Sequence, residues 1–131
     1  MLKQSIEKKL NEQVNAELFS SYLYLSMSAY FEDLSLVGFA NWMKVQAHEE
    51  LTHAMKIYDF IHERGGKVTL EAIDKPENKW KNVLHVIEET YKHEQLVTSL
   101  IHNLVEISIK EKDYATQNFL QWFVDEQVEE E

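Results

Sequence analysis

The chain has no cysteine, one proline and three glycines. Without cysteine there is no disulfide scaffold, no iron–sulfur cluster and no thiolate zinc site, and the redox compartment is left open. The scarcity of proline and glycine favours long, uninterrupted helices, because these two residues carry the largest penalties in a helix interior. No apolar run is long enough to span a bilayer. The N-terminus, Met1 to Glu7, starts in a polar amphipathic pattern rather than a signal peptide. A cytoplasmic protein is expected. Positive charge is also short: 13 Lys and Arg stand against 23 Asp and Glu, a formal net charge of −10. That balance argues against nucleic acid and anionic membrane as partners and favours attraction of cations.

What remains is ordinary in amount. The 131 residues, 44% hydrophobic and 27% charged, suit one domain over 1–131 with a real core. Four helices are predicted, at about 5–31, 36–64, 82–110 and 113–131. Ser5 is the expected N-cap of the first, and Gly65-Gly66 the stop of the second. The expected apolar faces are Leu10, Val14, Leu18, Ser21, Leu25 and Ser28 on the first helix, and Val83, Ile87, Val97, Ile101, Leu104 and Ser108 on the third. Short connections near Asp33–Ser35 and Glu111–Asp113 make antiparallel neighbours. The stretch 66–81 differs. It holds Pro76 and an alternating run, Val68 to Ile73, that reads as a short strand. Sixteen extended residues reach roughly 50 Å. A helix of about 28 residues is roughly 42 Å long. The connection can therefore cross the whole bundle and make helices two and three parallel. The expected fold is all-α, a four-helix bundle with one long crossover.

Each helix carries a polar residue inside its apolar stripe: Glu17, then Glu50 with His53, then Glu94, then Gln127 and Glu130. A buried carboxylate is costly unless its charge is compensated. A metal ion compensates it, and residues three apart on a helix, as in Glu50-x-x-His53, can share one ion. Glu17 lies about 18 residues before the first turn and Glu50 about 15 after it, while Glu94 lies about 17 before the second turn and Gln127 and Glu130 about 15 and 18 after it; at 1.5 Å per residue the levels agree to roughly 5 Å. Four interruptions at one level describe a ligand cluster. Carboxylates with one imidazole and no thiolate suit iron or manganese, with zinc as a further choice. Glu50 is placed to bridge two ions, with Glu17 and His53 serving one and Glu94 and Glu130 the other. Tyr24, seven residues after Glu17 on the same face, reads as a packing residue, a hydrogen-bond partner of a ligand or an electron donor. Glu49, Glu126 and Glu129 read as solvated face or as an auxiliary cation site. Trp42, Trp122, Phe39, Phe119 and Phe123 read as core or subunit-contact aromatics, and His48, His62, His85, His93 and His102 as surface histidines.

These residues also carry a resemblance. Asn11 to Leu18, Gly38 to Met43, Glu49 to Ala54 and Phe119 to Glu130 are similar to segments of bacterial and archaeal non-haem ferritins, and the match runs the length of the chain. The resemblance implies that Glu17, Glu50, His53, Glu94 and Gln127 form a ferroxidase centre with Glu130 beside it. It further implies that Glu49, Glu126, Glu129 and Glu130 form a third iron site and that Tyr24 is the centre's tyrosine. The implied activity is oxidation of Fe(II) by O2 or peroxide, with Fe(III) mineral stored in a homo-oligomeric shell of 24 subunits. No haem is expected, since Leu51 stands where bacterioferritins carry a haem-ligating Met. Gln127-x-x-Glu130 stands where bacterioferritins and rubrerythrins carry a second Glu-x-x-His. The resembled family continues past position 131 with more of the fourth helix and a short fifth, so the expectation is either a shortened chain or a part of a longer protein. Two other readings stay open: a small di-iron redox enzyme without storage, and a non-enzymatic helical assembly fragment.

Overall fold

The computed structural model describes residues 1–131 and contains four α-helices and no strand. They are α1 Gln4–Asp33, α2 Val37–Glu63, α3 Val83–Lys110 and α4 Tyr114–Glu130. Contacts between side chains give their directions. On α1, Ser21 reaches the carbonyl of Ala47 and Ser28 that of Ala40, so α1 and α2 are antiparallel. Lys3 meets Glu111 while Ser20 meets His93, so α1 and α3 are antiparallel too. Helices α2 and α3 are therefore parallel, and the connection between them crosses the bundle. Arg64 bonds Asp113 at one end of the α2–α4 pair and His53 lies near Glu126 further along, which sets α4 antiparallel to α2.

The core divides into two apolar clusters. The larger, built from all four helices, includes Ile6, Leu10, Val14, Ile57, Ile61, Val97, Ile101, Leu120 and Phe123. The smaller, built from α1, α2 and the start of α3, includes Leu23, Met27, Phe31, Ala40, Met43 and Val86. Between the two clusters each contributing helix buries polar residues: Glu17 and Ser20 on α1, Glu50 and His53 beside Ala54 on α2, and Glu94 on α3. The apolar clusters thus form two floors with a polar layer between them.

Three chain reversals share one geometry. After α1, the amides of Ser35 and Leu36 return to the carbonyls of Glu32 and Phe31. After α2, Gly65 and Gly66 return to His62 and Ile61, and after α3, Lys112 and Asp113 return to Ile109 and Ser108. Each is a Schellman motif, and each needs one left-handed residue: Ser35 (φ 60°), Gly65 (φ 74°) and Lys112 (φ 59°). Helices α3 and α4 open on side-chain caps, with Asn82 accepting from His85 N and Asp113 from Thr116 N.

Several expectations need correction. Ser5 is not a cap; α1 begins at Gln4 after Lys3, which makes no cap bond. Leu25 and Ile87 are exposed. A row taken every four residues over-rotates against a 3.6-residue turn, and the buried stripe of α1 instead runs Ile6, Leu10, Gln13, Val14, Glu17, Ser20, Leu23, Tyr24, Met27, Ser28, Phe31, keeping the expected Leu10, Val14 and Ser28. The run Val68 to Ile73 forms no strand. Side chains of α1 take the place of a ladder: Glu7 accepts from Lys67 N, Asn11 bonds Lys67 O and Thr69 N, and Asn15 bonds the carbonyls of Glu71 and Ala72. His93 is not a surface residue; it is half-buried, 2.7 Å from Ser20 Oγ and edge-on to Tyr24.

Candidate metal centre

Glu17, Glu50, His53, Glu94 and Gln127 are all buried in the polar layer. His53 Nδ1 lies 3.3 Å from Glu50 Oε2 and 3.8 Å from Glu17 Oε2, and His53 Nε2 lies 3.6 Å from Glu126 Oε2. Ligand atoms of Glu17, Glu50 and His53 fall within 4.8 Å of one another, as do those of Glu50, Glu94 and Glu130, and those of His53, Glu126 and Glu130. Glu50 belongs to two of these groups, His53 to two, and Glu130 to two.

The atoms left without hydrogen-bond partners decide what the cluster fits. They are Glu17 Oε2, both oxygens of Glu50, and His53 Nδ1, and all four are buried. Buried polar atoms are nearly always paired, so four orphans converging on one point call for a cation. All are oxygen or imidazole nitrogen donors, the set that iron, manganese or zinc accepts. Glu94 is different: its Oε1 accepts from the Tyr24 hydroxyl, and its Oε2 from Gln127 Nε2 at 3.2 Å.

Without a cation the layer must hold protons. Burial raises Glu50 most, and the charges of Glu17 and Glu94 add to it against the His53 contact, carrying it up to about 10. Burial works against charge on His53, but Glu17 and Glu50 outweigh it and carry the imidazole up to about 10. Burial also dominates at Glu17, yet contacts with His53, Glu50 and Gln13 overcome it and hold this carboxyl below its ordinary value. Burial raises Glu94, and raises Glu130 to about 7 with help from Glu94 and Glu49. Burial and the Glu94 charge keep the Tyr24 phenol protonated. A cation entering the layer must displace the protons on Glu50 and His53.

The ferritin-like domain of the ferritin family matches residues 7–131. The chain belongs to the ferritin family. It is 47% identical over 131 residues to a bacterial non-heme ferritin of Bacteroides fragilis, covering 100% of this chain and 82% of that protein. It is 44% identical over 131 residues to a probable bacterial non-heme ferritin-like protein of Haemophilus influenzae, covering 100% of this chain and 79% of that one. Among solved structures, an open-pore ferritin from the archaeon Archaeoglobus fulgidus superposes with a TM-score of 0.98 at 53% identity, covering 98% of this chain and 79% of that one. A Chlorobium tepidum ferritin does so at 0.97 and 42%, covering 99% and 79%.

In this ferritin the residues named from the sequence fall into three placements. Glu17, Glu50, His53, Glu94, Gln127 and Tyr24 share the layer. Glu126 and Glu130 meet it from α4, half-buried on the Nε2 side of His53. Glu49 is exposed, close enough to Glu130 for its charge to raise that carboxyl, and Glu129 is exposed and outside all three groups. Around the ligands lie two residues that the sequence did not single out, Gln13 and Thr98, and one, Trp122, that it read only as a core or subunit-contact aromatic. Gln13 donates to Glu17, Thr98 accepts from Gln127 Nε2, and Trp122 sets its ring edge-on to His53 with centroids 5.3 Å apart. Lys56 Nζ sits 4.0 Å from the Trp122 ring centre. Gln13 left one readable trace in the sequence, its place four residues before Glu17 on the same face.

Proposed function

We propose that this chain is an iron-storage ferritin subunit with ferroxidase activity. Fe(II) is its substrate. One ion is taken by Glu17, Glu50 and His53, and a second by Glu50, Glu94 and Glu130, with Glu50 between them. Two Fe(II) ions each surrender one electron. One O2 accepts the pair with two protons and becomes hydrogen peroxide; with peroxide as oxidant, the same electrons and protons give water. The observation that carries this reading is the four buried orphan atoms at one point. Gln127 and Tyr24 hold Glu94 from either side, so that its carboxylate turns toward the second position only as those contacts allow. Glu49, Glu126, Glu129 and Glu130 form the reading's third iron position, and of these Glu126 and Glu130 lie on the Nε2 side of the His53 imidazole. We place the protein in the cytoplasm as one subunit of a 24-subunit shell that stores the Fe(III) as mineral, the single domain being residues 1–131.

Anaerobic Fe(II) titration followed by mixing with O2 tests the chemistry. Two Fe(II) oxidised per chain in a fast phase are expected, and Glu50→Ala should abolish that phase. Native mass measurement tests the shell. Slow oxidation with no two-iron stoichiometry would leave the protein outside this reading.

A further inference from the structure

Gln13 is one of the buried polar residues, only 3% exposed, and it is neither charged nor part of any ligand group. Its Nε2 donates to Glu17 Oε1 at 3.1 Å. The opposite amide orientation would set two acceptor oxygens face to face, so the nitrogen must be the atom toward Glu17. One oxygen of Glu17 is thereby occupied. The other, Oε2, has no partner and is the atom 3.8 Å from His53 Nδ1.

The three carboxylates of the layer differ in how many of their oxygens have a donor. Glu50 has no donor on either oxygen, as a residue shared by two ion positions requires. Glu94 has a donor on both. Glu17 has one oxygen held and one free. A glutamate side chain has several rotatable bonds, and a free carboxylate loses that freedom when it binds an ion. A donor that already fixes the carboxylate removes part of that loss and leaves one oxygen facing inward.

We propose that Gln13 is a positioning residue for the Glu17/Glu50/His53 ion position, holding Glu17 Oε1 so that Oε2 alone is presented to the ion. The inference rests on the two-ion reading above and adds a specific claim: Gln13 acts on one of the two positions and not on the other.

Co(II), which binds without being oxidised under these conditions, serves as the probe. Calorimetric titration gives two affinities, and the paramagnetic shift of the His53 ring protons marks which ion is beside the imidazole. Gln13→Met keeps length and removes the donor. It should weaken the ion beside His53 by about 10- to 100-fold, the usual effect of removing an outer hydrogen bond to a ligand. The other ion should keep its affinity, while the metal-free melting temperature should fall, because Glu17 Oε1 is left buried without its donor; the split between the two ion affinities, not that fall, reads the positioning role. Gln13→Asn, polar but too short to reach Glu17, should do the same and serves if the Met variant does not fold. Unchanged Co(II) affinities in the folded variant overturn the inference. Equal weakening at both positions overturns it too, since that marks a general structural role. An unsubstituted protein that takes up no Co(II) pair overturns the two-ion reading and this inference together.

Discussion

Glu50 sits in the metal-free layer with both carboxylate oxygens buried and unpartnered, and this makes the site a source of instability until a cation arrives. Replacing it with an apolar residue of similar size removes that penalty. Glu50→Leu should stabilise the metal-free chain by about 1–3 kcal/mol while ending ion binding, measured by urea unfolding in chelator. The pH dependence has a definite sign. Glu50 and Glu130 keep their protons in the folded chain where the unfolded chain has released them, so stability falls as pH rises. For Glu130 the loss runs from about 4.5 to about 7, and for Glu50 from about 4.5 to about 10. His53, also raised, stabilises fully below 6.5, and that contribution is lost as pH climbs to about 10. Melting temperature in chelator should therefore be lower at pH 8 than at pH 5.5. Zn(II) should oppose this slope, because its binding releases protons and strengthens as pH rises. A chelated protein that melts higher at pH 8 would contradict the protonation pattern of the layer.

At the scale of the elements, two of the three Schellman reversals place a side-chain-bearing residue in the left-handed region. Lys112 is exposed there, and glycine adopts that conformation without a Cβ penalty. Lys112→Gly should raise unfolding stability by about 1 kcal/mol, and Gly65→Ala should lower it by about as much. Asp113 serves two elements at once, capping α4 through Thr116 N and pairing with Arg64 of α2 at 3.0 Å. Asp113→Ala should cost about 1–2 kcal/mol by denaturant titration. Burial alone would raise the Asp113 carboxyl, but Thr116 and Arg64 outweigh it and hold it below its usual value of 3.8. Its contribution is therefore present above that pH and disappears as pH falls through the lower, folded value. The helix starts at Asn82 and Asp113 were legible because cap residues act locally, through bonds to amides three positions on. The start of α1 was legible to within a residue, but not its cap, because no side chain caps it.

For the molecule as a whole, four long helices, the antiparallel hairpins and the crossover could be read from hydrophobic period and loop length. The polar level could too, because one helix rise per residue converts sequence position into height. What could not be read depends on contacts between distant segments. The crossover looks like a strand in sequence, yet its backbone is satisfied by Glu7, Asn11 and Asn15 of α1. His93 looks like a surface histidine until Ser20 and Tyr24 close over it. Gln13 is not legible as part of the site because its role is a bond to Glu17 and not ligation of an ion. The Asn11 and Asn15 contacts predict that the double alanine variant frees the crossover: amide exchange over residues 67–72 should accelerate while α3 and α4 keep their protection. The position of the orphan atoms along the chain also has a consequence in time. Glu17, Glu50 and His53 all belong to the first hairpin, which ends at Glu63. A ribosome adding about 5–20 residues per second delivers the complete three-residue set several seconds before the last of α4. The residues of the candidate centre are thus synthesised in sequence, Glu17, Glu50 and His53 before Glu94, Gln127 and Glu130.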